Sequence, residues 1–300
     1  MNDAVRPVAL PAAPVGLDDQ VVCPRSIFVR ALKPLLASSR AILPTAVYEP
    51  LYNFSFRLYK ALLRHCYFRH VAACWVARDS AGLFRARSVY SVMPYSLVGA
   101  SGLEATFDAA SDLVSKNIPG DFVECGVARG GCAALLATVA ARDFVARRVW
   151  LFDSFEGLPS PTSHDFSGDR KSTGKHIRPL VRGSCLGTKD EVEWLLFSKF
   201  AFERNSIVLV QGWFQDTLPV YRPGLGRIAL LRIDGDWYES TSCCLENLYD
   251  NVSPGGWVIV DDYGVCFGCK KAVQEFFEKR KIRPALIPDT RGGIRFLKTS

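Results

Sequence analysis

The sequence of 300 residues lacks an apolar run that could cross a membrane and lacks a recognisable export signal. No stretch approaches the roughly 18 uninterrupted apolar residues that a membrane helix needs. Prolines interrupt the apolar residues 8–14, which is untypical of a signal peptide. Because no export signal is found, the ten cysteines are expected to be reduced thiols. We therefore expect a cytoplasmic protein.

Acidic residues are scarce between residues 24 and 90. This segment holds only Glu49 and Asp79 against eleven Lys and Arg, whereas residues 91–300 hold 25 charges of each sign. An enzyme acting on nucleic acid would usually carry its basic surface beside the active site, so we expect no nucleic-acid partner. The apolar and basic residues of 24–90 recur at helical spacing, which predicts a helical extension that serves as a lid or in homo-oligomer formation. Peripheral contact with a membrane is the alternative.

Three regions are predicted. Residues 1–23, rich in Pro, Ala and Val, are expected to be a disordered tail, followed by the basic extension 24–90 and a catalytic domain over 91–300. In that domain, near-continuous apolar strands alternate with helices, which predicts an α/β fold with a doubly wound, mostly parallel seven-stranded sheet. The strands are predicted over residues 121–127, 149–153, 207–210, 228–234, 256–261, 285–287 and 294–297. Helices are predicted over residues 132–141, 240–249 and 270–281.

The turn after the first strand is rich in glycine. It runs Glu124-Cys-Gly126-Val-Ala-Arg-Gly130-Gly131 and leads into a helix. Glycines let the backbone approach a ligand closely, and the amides at the start of the following helix are free to bind it. Close packing between helix and strand would explain the same glycines, so the turn by itself is weak evidence for a cofactor.

The next two strands also end in polar or aromatic residues. Asp153-Ser154 ends the second strand, where an acid can accept hydrogen bonds from the two ribose hydroxyls of a nucleoside cofactor. A helix cap is the alternative role for Asp153. Gln211-Gly212-Trp213 ends the third strand and offers an amide and an aromatic face beside an adenine.

Four carboxylates follow the fourth and fifth strands: Asp234, Asp236, Asp261 and Asp262. Neighbouring strands of such a sheet would bring them to one edge. Two like charges about 4 Å apart cost on the order of 4 kcal/mol at an effective dielectric near 20, so the cluster needs protons or a cation. Oxygen ligands select hard cations, chiefly Mg²⁺. Capping of the helices that follow is the alternative role of these acids.

These segments resemble the macrocin O-methyltransferase family, whose members methylate sugar hydroxyls on macrolide and aminocoumarin natural products. The similarity lies in Val123–Gly131, Phe152–Pro159, Gly212-Trp-Phe, Asp234–Thr241, Leu248-Tyr and Ser253–Gly264, in the family's order, and covers roughly residues 86 to 298. It implies a Rossmann-like class I methyltransferase fold with S-adenosylmethionine bound at the first three strands. It also implies Mg²⁺ held by Asp234, Asp261 and Asp262, Asp236 as general base, and a small-molecule glycoside or glycan as acceptor.

Other functions remain open on the residues alone. A catechol-type O-methyltransferase would use the same metal chemistry on an aromatic vicinal diol. An NAD-dependent oxidoreductase is disfavoured, because the turn is not Gly-x-Gly-x-x-Gly and such an enzyme needs no acidic cluster. The segment Phe155–Lys189, with His164 and His176, is predicted to be a lid. Cys266 and Cys269 form one Cys-x-x-Cys pair without a second, which predicts incidental thiols and no zinc site.

Overall fold

The computed structural model describes residues 45–166 and 180–299, with side chains from residue 61 onward. The predicted tail over 1–23, the first part of the basic extension and His176 lie outside the described residues. In the described part, no helix is both long enough and apolar enough to span a membrane.

Within the described residues, seven strands form one sheet in the order β3-β2-β1-β4-β5-β7-β6. Strands β1 to β5 pair in parallel, and β7 runs antiparallel to both β5 and β6. The predicted doubly wound, mostly parallel sheet is thus confirmed. The strands are β1 (Asp121–Cys125), β2 (Val149–Asp153), β3 (Ile207–Gln211), β4 (Ile228–Ile233), β5 (Val252–Val260), β6 (Ile287–Pro288) and β7 (Ile294–Leu297).

Helices cover both faces of this sheet. They are α1 (Thr45–Val76), α2 (Ser80–Val92), α3 (Ala100–Ser115), α4 (Gly131–Ala140), α5 (Lys189–Glu193), α6 (Phe214–Leu225), α7 (Tyr238–Leu248) and α8 (Phe267–Arg280). Residues of α2, α3 and α4 build the core on one face, and residues of α6, α7 and α8 build it on the other. Both faces of the central strands β1, β2 and β4 are therefore buried, which explains their continuous apolar sequences.

Two long helices of the domain were missed from the sequence. Pro219 and Pro223 lie inside α6, where they suggest a loop because proline removes a helix hydrogen bond. Helix α3 precedes the first strand and carries Glu104, which is 1% exposed. A buried acid interrupts the amphipathic pattern by which a helix is recognised.

The N-terminal helices are tied to the domain by a polar network. The Tyr67 hydroxyl of α1 donates to Glu104 Oε1 of α3 at 2.6 Å, and Arg85 of α2 makes a two-point contact with Asp108 at 2.6 and 2.9 Å. Val89 and Val92 of α2 are fully buried in the domain core. The boundary predicted after residue 90 thus falls within a helix that packs as part of the domain.

Candidate active site

The ends of the central strands are aligned by their register. Cys125 of β1 pairs with Ile233 of β4, which pairs with Val260 of β5. The ladder continues one step further, since the Asp234 amide donates to the Cys125 carbonyl at 2.8 Å and the Asp261 amide donates to the Ile233 carbonyl at 3.0 Å. Register alone therefore brings the glycine-rich turn and the acidic residues to one edge of the sheet.

The glycines of the turn are required by packing inside the protein. A Cβ on Gly126, whose φ is +92°, would lie 1.8 Å from the Asp234 carbonyl oxygen. A Cβ on Gly131 would lie 2.6 Å from Ser96 Cβ, and Gly130 has a φ of +83°. The packing explanation thus accounts for these three glycines without a ligand.

Substitution of Gly126 should be severely destabilising. We expect Gly126→Ala to lower the free energy of unfolding by about 3 kcal/mol or more, because the added Cβ meets backbone and the positive φ is strained. Urea unfolding followed by circular dichroism measures the effect. Gly224→Ala is the control, since a Cβ there meets nothing within 4 Å. Equal stability of the two variants would show that the end of β1 tolerates a side chain.

Asp153 stabilises the same turn through hydrogen bonds. Its Oδ2 accepts the amides of Val127 and Ala128 at 2.7 and 3.0 Å, and its Oδ1 accepts the Phe155 amide at 2.7 Å. Burial raises the pKa of Asp153, and the three backbone hydrogen bonds oppose that rise. A carboxylate has about four acceptor sites, so room remains for about one ribose hydroxyl, where the sequence suggested two. Asp153 does not act as a helix cap, the alternative role predicted from the sequence. The amides from which it accepts hydrogen bonds belong to the turns after β1 and β2.

The nine predicted cofactor-binding residues divide into those that line a cavity and those that do not. Glu124, Gly126, Gly131, Asp153, Ser154, Gly212 and Trp213 line a cavity of about 790 Å³ at the carboxyl edge of the sheet. Gly130 and Gln211 do not line it, and Gln211 is exposed. Glu124 is 1% exposed, and its Oε2 has no hydrogen-bond partner among the described residues. A buried carboxylate oxygen in a cavity wall fits a cationic group of a ligand.

The four predicted aspartates line the same cavity. Carboxylate oxygens of Asp234, Asp261 and Asp262 lie within 4.8 Å of one another. Asp262 Oδ2 is shielded from solvent and accepts no hydrogen bond within the described part of the chain. These oxygens fit a hard divalent cation, which would bind the acceptor atom that the protein leaves unpartnered.

The structure adds a residue that the sequence reasoning missed. Arg232, completely buried in β4, donates to Asp234 Oδ2 at 2.8 Å, to Asp261 Oδ1 at 2.7 Å and to Glu124 Oε1 at 3.2 Å. The acidic cluster therefore contains a resident cation even without a metal. The signal was available, because residues two apart in a strand face the same side and Arg232 precedes Asp234 by two.

The positive charge of Arg232, joined by that of Arg291 near Asp261, does not offset the burial of the surrounding acids. Burial, together with the charge of Asp234, raises the pKa of Asp261 to about 6. Burial raises the pKa of Glu124 to about 8, against the lowering effect of Arg232. Burial and the charge of Asp236 raise the pKa of Asp262 well above its usual range. Raised pKa values are expected for buried carboxylates whose negative charges are not compensated by enough nearby positive charge.

Asp236 adjoins these three aspartates, since ligand atoms of Asp236, Asp262 and Cys266 also lie within 4.8 Å of one another. It has a φ of +55°, which is uncommon for a residue with a side chain and which aspartate tolerates better than most. Burial, with the charges of Asp234 and Asp261, raises its pKa to about 7. The buried Cys266 thiol contacts Asp236 Oδ1 at 3.8 Å, so this cysteine of the Cys-x-x-Cys pair lines the acidic site.

The first part of the predicted lid is a wall of this site. The buried Asp165 accepts the amide of Tyr238, the first residue of α7, at 2.8 Å. The Trp237 indole donates to the Pro159 carbonyl at 3.1 Å. His164 stacks on Tyr238 and contacts Lys271 at 2.7 Å, so it is held in place. These contacts fix the segment that follows Asp236.

Comparison with known proteins identifies the class of enzyme that this chain resembles. The family model described as Macrocin-O-methyltransferase (TylF) matches residues 60–292. The demethyldecarbamoylnovobiocin O-methyltransferase of Streptomyces niveus is 38% identical over 206 residues, which are 68% of this chain and 76% of that protein.

A second relative and a solved structure that resemble this chain are also O-methyltransferases. The 8-demethyl-8-(2,3-dimethoxy-alpha-L-rhamnosyl)-tetracenomycin-C 4'-O-methyltransferase of Streptomyces olivaceus is 36% identical over 183 residues, which are 61% of this chain and 67% of that protein. The structure of the O-methyltransferase NovP superposes with a TM-score of 0.60 at 36% identity, covering 69% of this chain and 83% of that chain.

Proposed function

Because the chain belongs to the macrocin O-methyltransferase family and is an S-adenosylmethionine-dependent O-methyltransferase, we propose that it methylates a sugar hydroxyl of a glycosylated metabolite or glycan. The observation that carries this proposal is one cavity whose wall holds both the glycine-rich turn and the four aspartates. A methyl donor bound at the glycine-rich turn would then lie in the same cavity as the acidic site. The relative from Streptomyces olivaceus is named for a rhamnosyl substrate, which supports a sugar acceptor.

In the proposed mechanism, Asp236 has a different role from Asp234, Asp261 and Asp262. A sugar hydroxyl, like water, is a very weak acid, so it is a weak nucleophile until its proton is removed. Asp236 would accept that proton at its carboxylate. Bound S-adenosylmethionine would supply the methyl group, whose bond to sulfur breaks as the bond to the hydroxyl oxygen forms, leaving S-adenosylhomocysteine. Burial and the charges of Asp234 and Asp261 raise the pKa of Asp236, which makes its carboxylate a stronger proton acceptor than an exposed aspartate.

Asp234, Asp261 and Asp262 would hold Mg²⁺. A bound Mg²⁺ supplies positive charge that lowers the pKa of the acceptor hydroxyl and orients it. Arg232 donates hydrogen bonds to Asp234 and Asp261. Residues 159–166, the first part of the predicted lid, contribute to the cavity wall over the site.

The acceptor class is tested by incubation of the purified protein with S-adenosylmethionine and paired acceptors. One set carries a sugar with adjacent hydroxyls, such as a rhamnoside, and the other is a series of catechols. Mass spectrometry should show one added methyl group on the sugar. Methylation confined to the catechols would establish the catechol-type alternative instead.

Asp153 is proposed as an acceptor for one ribose hydroxyl. We expect Asp153→Ala to weaken S-adenosylmethionine binding by about 1.5–3 kcal/mol, roughly 10- to 150-fold, by calorimetry. Deoxyribose analogues of S-adenosylhomocysteine separate this contact from the bracing of the turn. Removal of the contacted hydroxyl should weaken binding to the wild type and have no further effect in Asp153→Ala. Unchanged affinity in the variant would disprove the ribose assignment.

Several finer properties remain predictions. They are the cytoplasmic location, homo-oligomer formation, a lid or membrane-contact role for residues 24–90, and the absence of a nucleic-acid partner. Retention on DNA or RNA at physiological salt would contradict the last of these.

A further inference from the structure

Arg232 is placed by the sheet register directly beside Glu124. The two residues pair across the parallel strands β4 and β1, so their side chains leave the same face of the sheet at neighbouring positions. Both are essentially fully buried, at 0% and 1% exposure. An arginine in a parallel strand that is covered on both faces is unusual, because burying a guanidinium costs several kcal/mol unless carboxylates surround it.

The guanidinium extends from this position to the edge of the sheet. One terminal nitrogen donates to both Glu124 Oε1 and Asp234 Oδ2, and the other donates to Asp261 Oδ1. Arg232 thus contacts one oxygen of each of two proposed metal ligands. The second oxygen of each carboxylate is left for a cation.

We propose that Arg232 is a positioning residue that holds Asp234 and Asp261 in the geometry for binding a divalent cation before the cation arrives. Without the guanidinium, two buried carboxylates would repel each other and turn apart or take up protons. Groups that hydrogen-bond to metal ligands typically change metal affinity by 10- to 100-fold when they are altered. Through Glu124, Arg232 also joins the metal-binding edge to the wall proposed to face the cofactor.

This inference rests on the proposed metal site, and a purely structural ion pair is the competing explanation. Arg147 provides the comparison, since it is also a buried arginine, 7% exposed. It bonds to Asp143 and to the carbonyls of Ile118 and Gly120. It lies just before β2, away from the cavity wall.

The experiment is a calorimetric titration of the full-length protein with Mg²⁺ in the absence of cofactor. We expect Arg232→Lys to weaken Mg²⁺ binding by 10- to 100-fold, because an ammonium group lacks the fork that reaches both carboxylates. Arg147→Lys should lower the melting temperature without changing Mg²⁺ affinity. The activity of Arg232→Lys should recover partly at high Mg²⁺.

The outcomes separate the two proposals. A wild-type protein that does not bind Mg²⁺ would overturn the metal site itself. Wild-type Mg²⁺ affinity in Arg232→Lys would overturn the role of Arg232 and leave the metal site in place. If Arg232→Lys does not fold, Glu124→Ala tests the same contacts, since Glu124 is not a proposed metal ligand and its Oε1 accepts from the same guanidinium nitrogen that donates to Asp234. A loss of Mg²⁺ affinity in that variant supports the inference, and unchanged affinity opposes it.

Discussion

Chelation of divalent cations is expected to abolish methyl transfer by the wild-type protein. The cavity places Asp234, Asp261 and Asp262 together, with Arg232 hydrogen-bonded to two of them, and burial and the nearby acid raise the pKa of Asp261 to about 6. Loss of a cation that stabilises developing negative charge removes several kcal/mol, and 4 kcal/mol corresponds to about 10³-fold in rate. Dialysis against EDTA followed by an initial-rate assay measures the effect.

Re-addition of cations is the control for this experiment. Mg²⁺ should restore the rate fully, whereas Ca²⁺ should bind and restore less, because its larger and looser coordination shell positions the ligands less well. Replacement of Asp234, Asp261 or Asp262 by asparagine should raise the Mg²⁺ concentration needed for activity. An EDTA-treated protein that works at the normal rate would refute the metal mechanism, although the methyltransferase assignment would stand.

The sheet could be predicted from sequence because its strands are short, apolar and separated by helices. Val149–Asp153 and Ile294–Leu297 were bounded correctly to the residue, and the other predicted strands overlap the observed ones. The central strands β1, β2 and β4 are buried on both faces, so their composition alone distinguishes them. Helix α6 was not found, since its two prolines favour a turn and only tertiary packing of Leu218 and Leu225 supports the helix.

The acidic edge could also be predicted, since parallel neighbours place Asp234 and Asp261 at the same level. The counter-charge could not be recognised from a search for ligands alone. Arg232 reads as part of an apolar strand, and its partner Glu124 lies 108 residues away. Asp165 is a comparable case, because it stabilises the start of α7 from a position 73 residues earlier in the chain. Pairings of this kind depend on topology and leave no local pattern.

The glycine-rich turn has a structural role that its sequence pattern does not distinguish from ligand binding. Gly126 suggests close approach to a ligand, yet the group that approaches it is the Asp234 carbonyl oxygen of the neighbouring strand. The turn is therefore needed to align β1 with β4. The amides of Val127 and Ala128 are bonded to Asp153, whereas the amides predicted to be free are those at the start of α4, which begins at Gly131.

Replacement of Asp236 by asparagine is expected to lower kcat by about 10²- to 10⁴-fold while Mg²⁺ and S-adenosylmethionine bind nearly as in the wild type. Asparagine has the same shape and tolerates a positive φ as well as aspartate does, so the φ of +55° at this position should be kept. Only the ability to accept a proton is lost. Single-turnover methyl transfer, with calorimetry for both ligands, separates this loss of chemistry from a loss of binding.

Asp216→Asn is the matched control for Asp236→Asn, since Asp216 is an exposed aspartate of α6 that does not line the cavity. It removes one negative charge from the same protein and should leave kcat unchanged. Two results would contradict the assignment of Asp236. Wild-type turnover in Asp236→Asn would show that another group accepts the proton, with the metal site unaffected. A loss of Mg²⁺ affinity as large as that in Asp262→Asn would show instead that Asp236 is a ligand, because a proton acceptor and a ligand differ in whether high Mg²⁺ restores the rate.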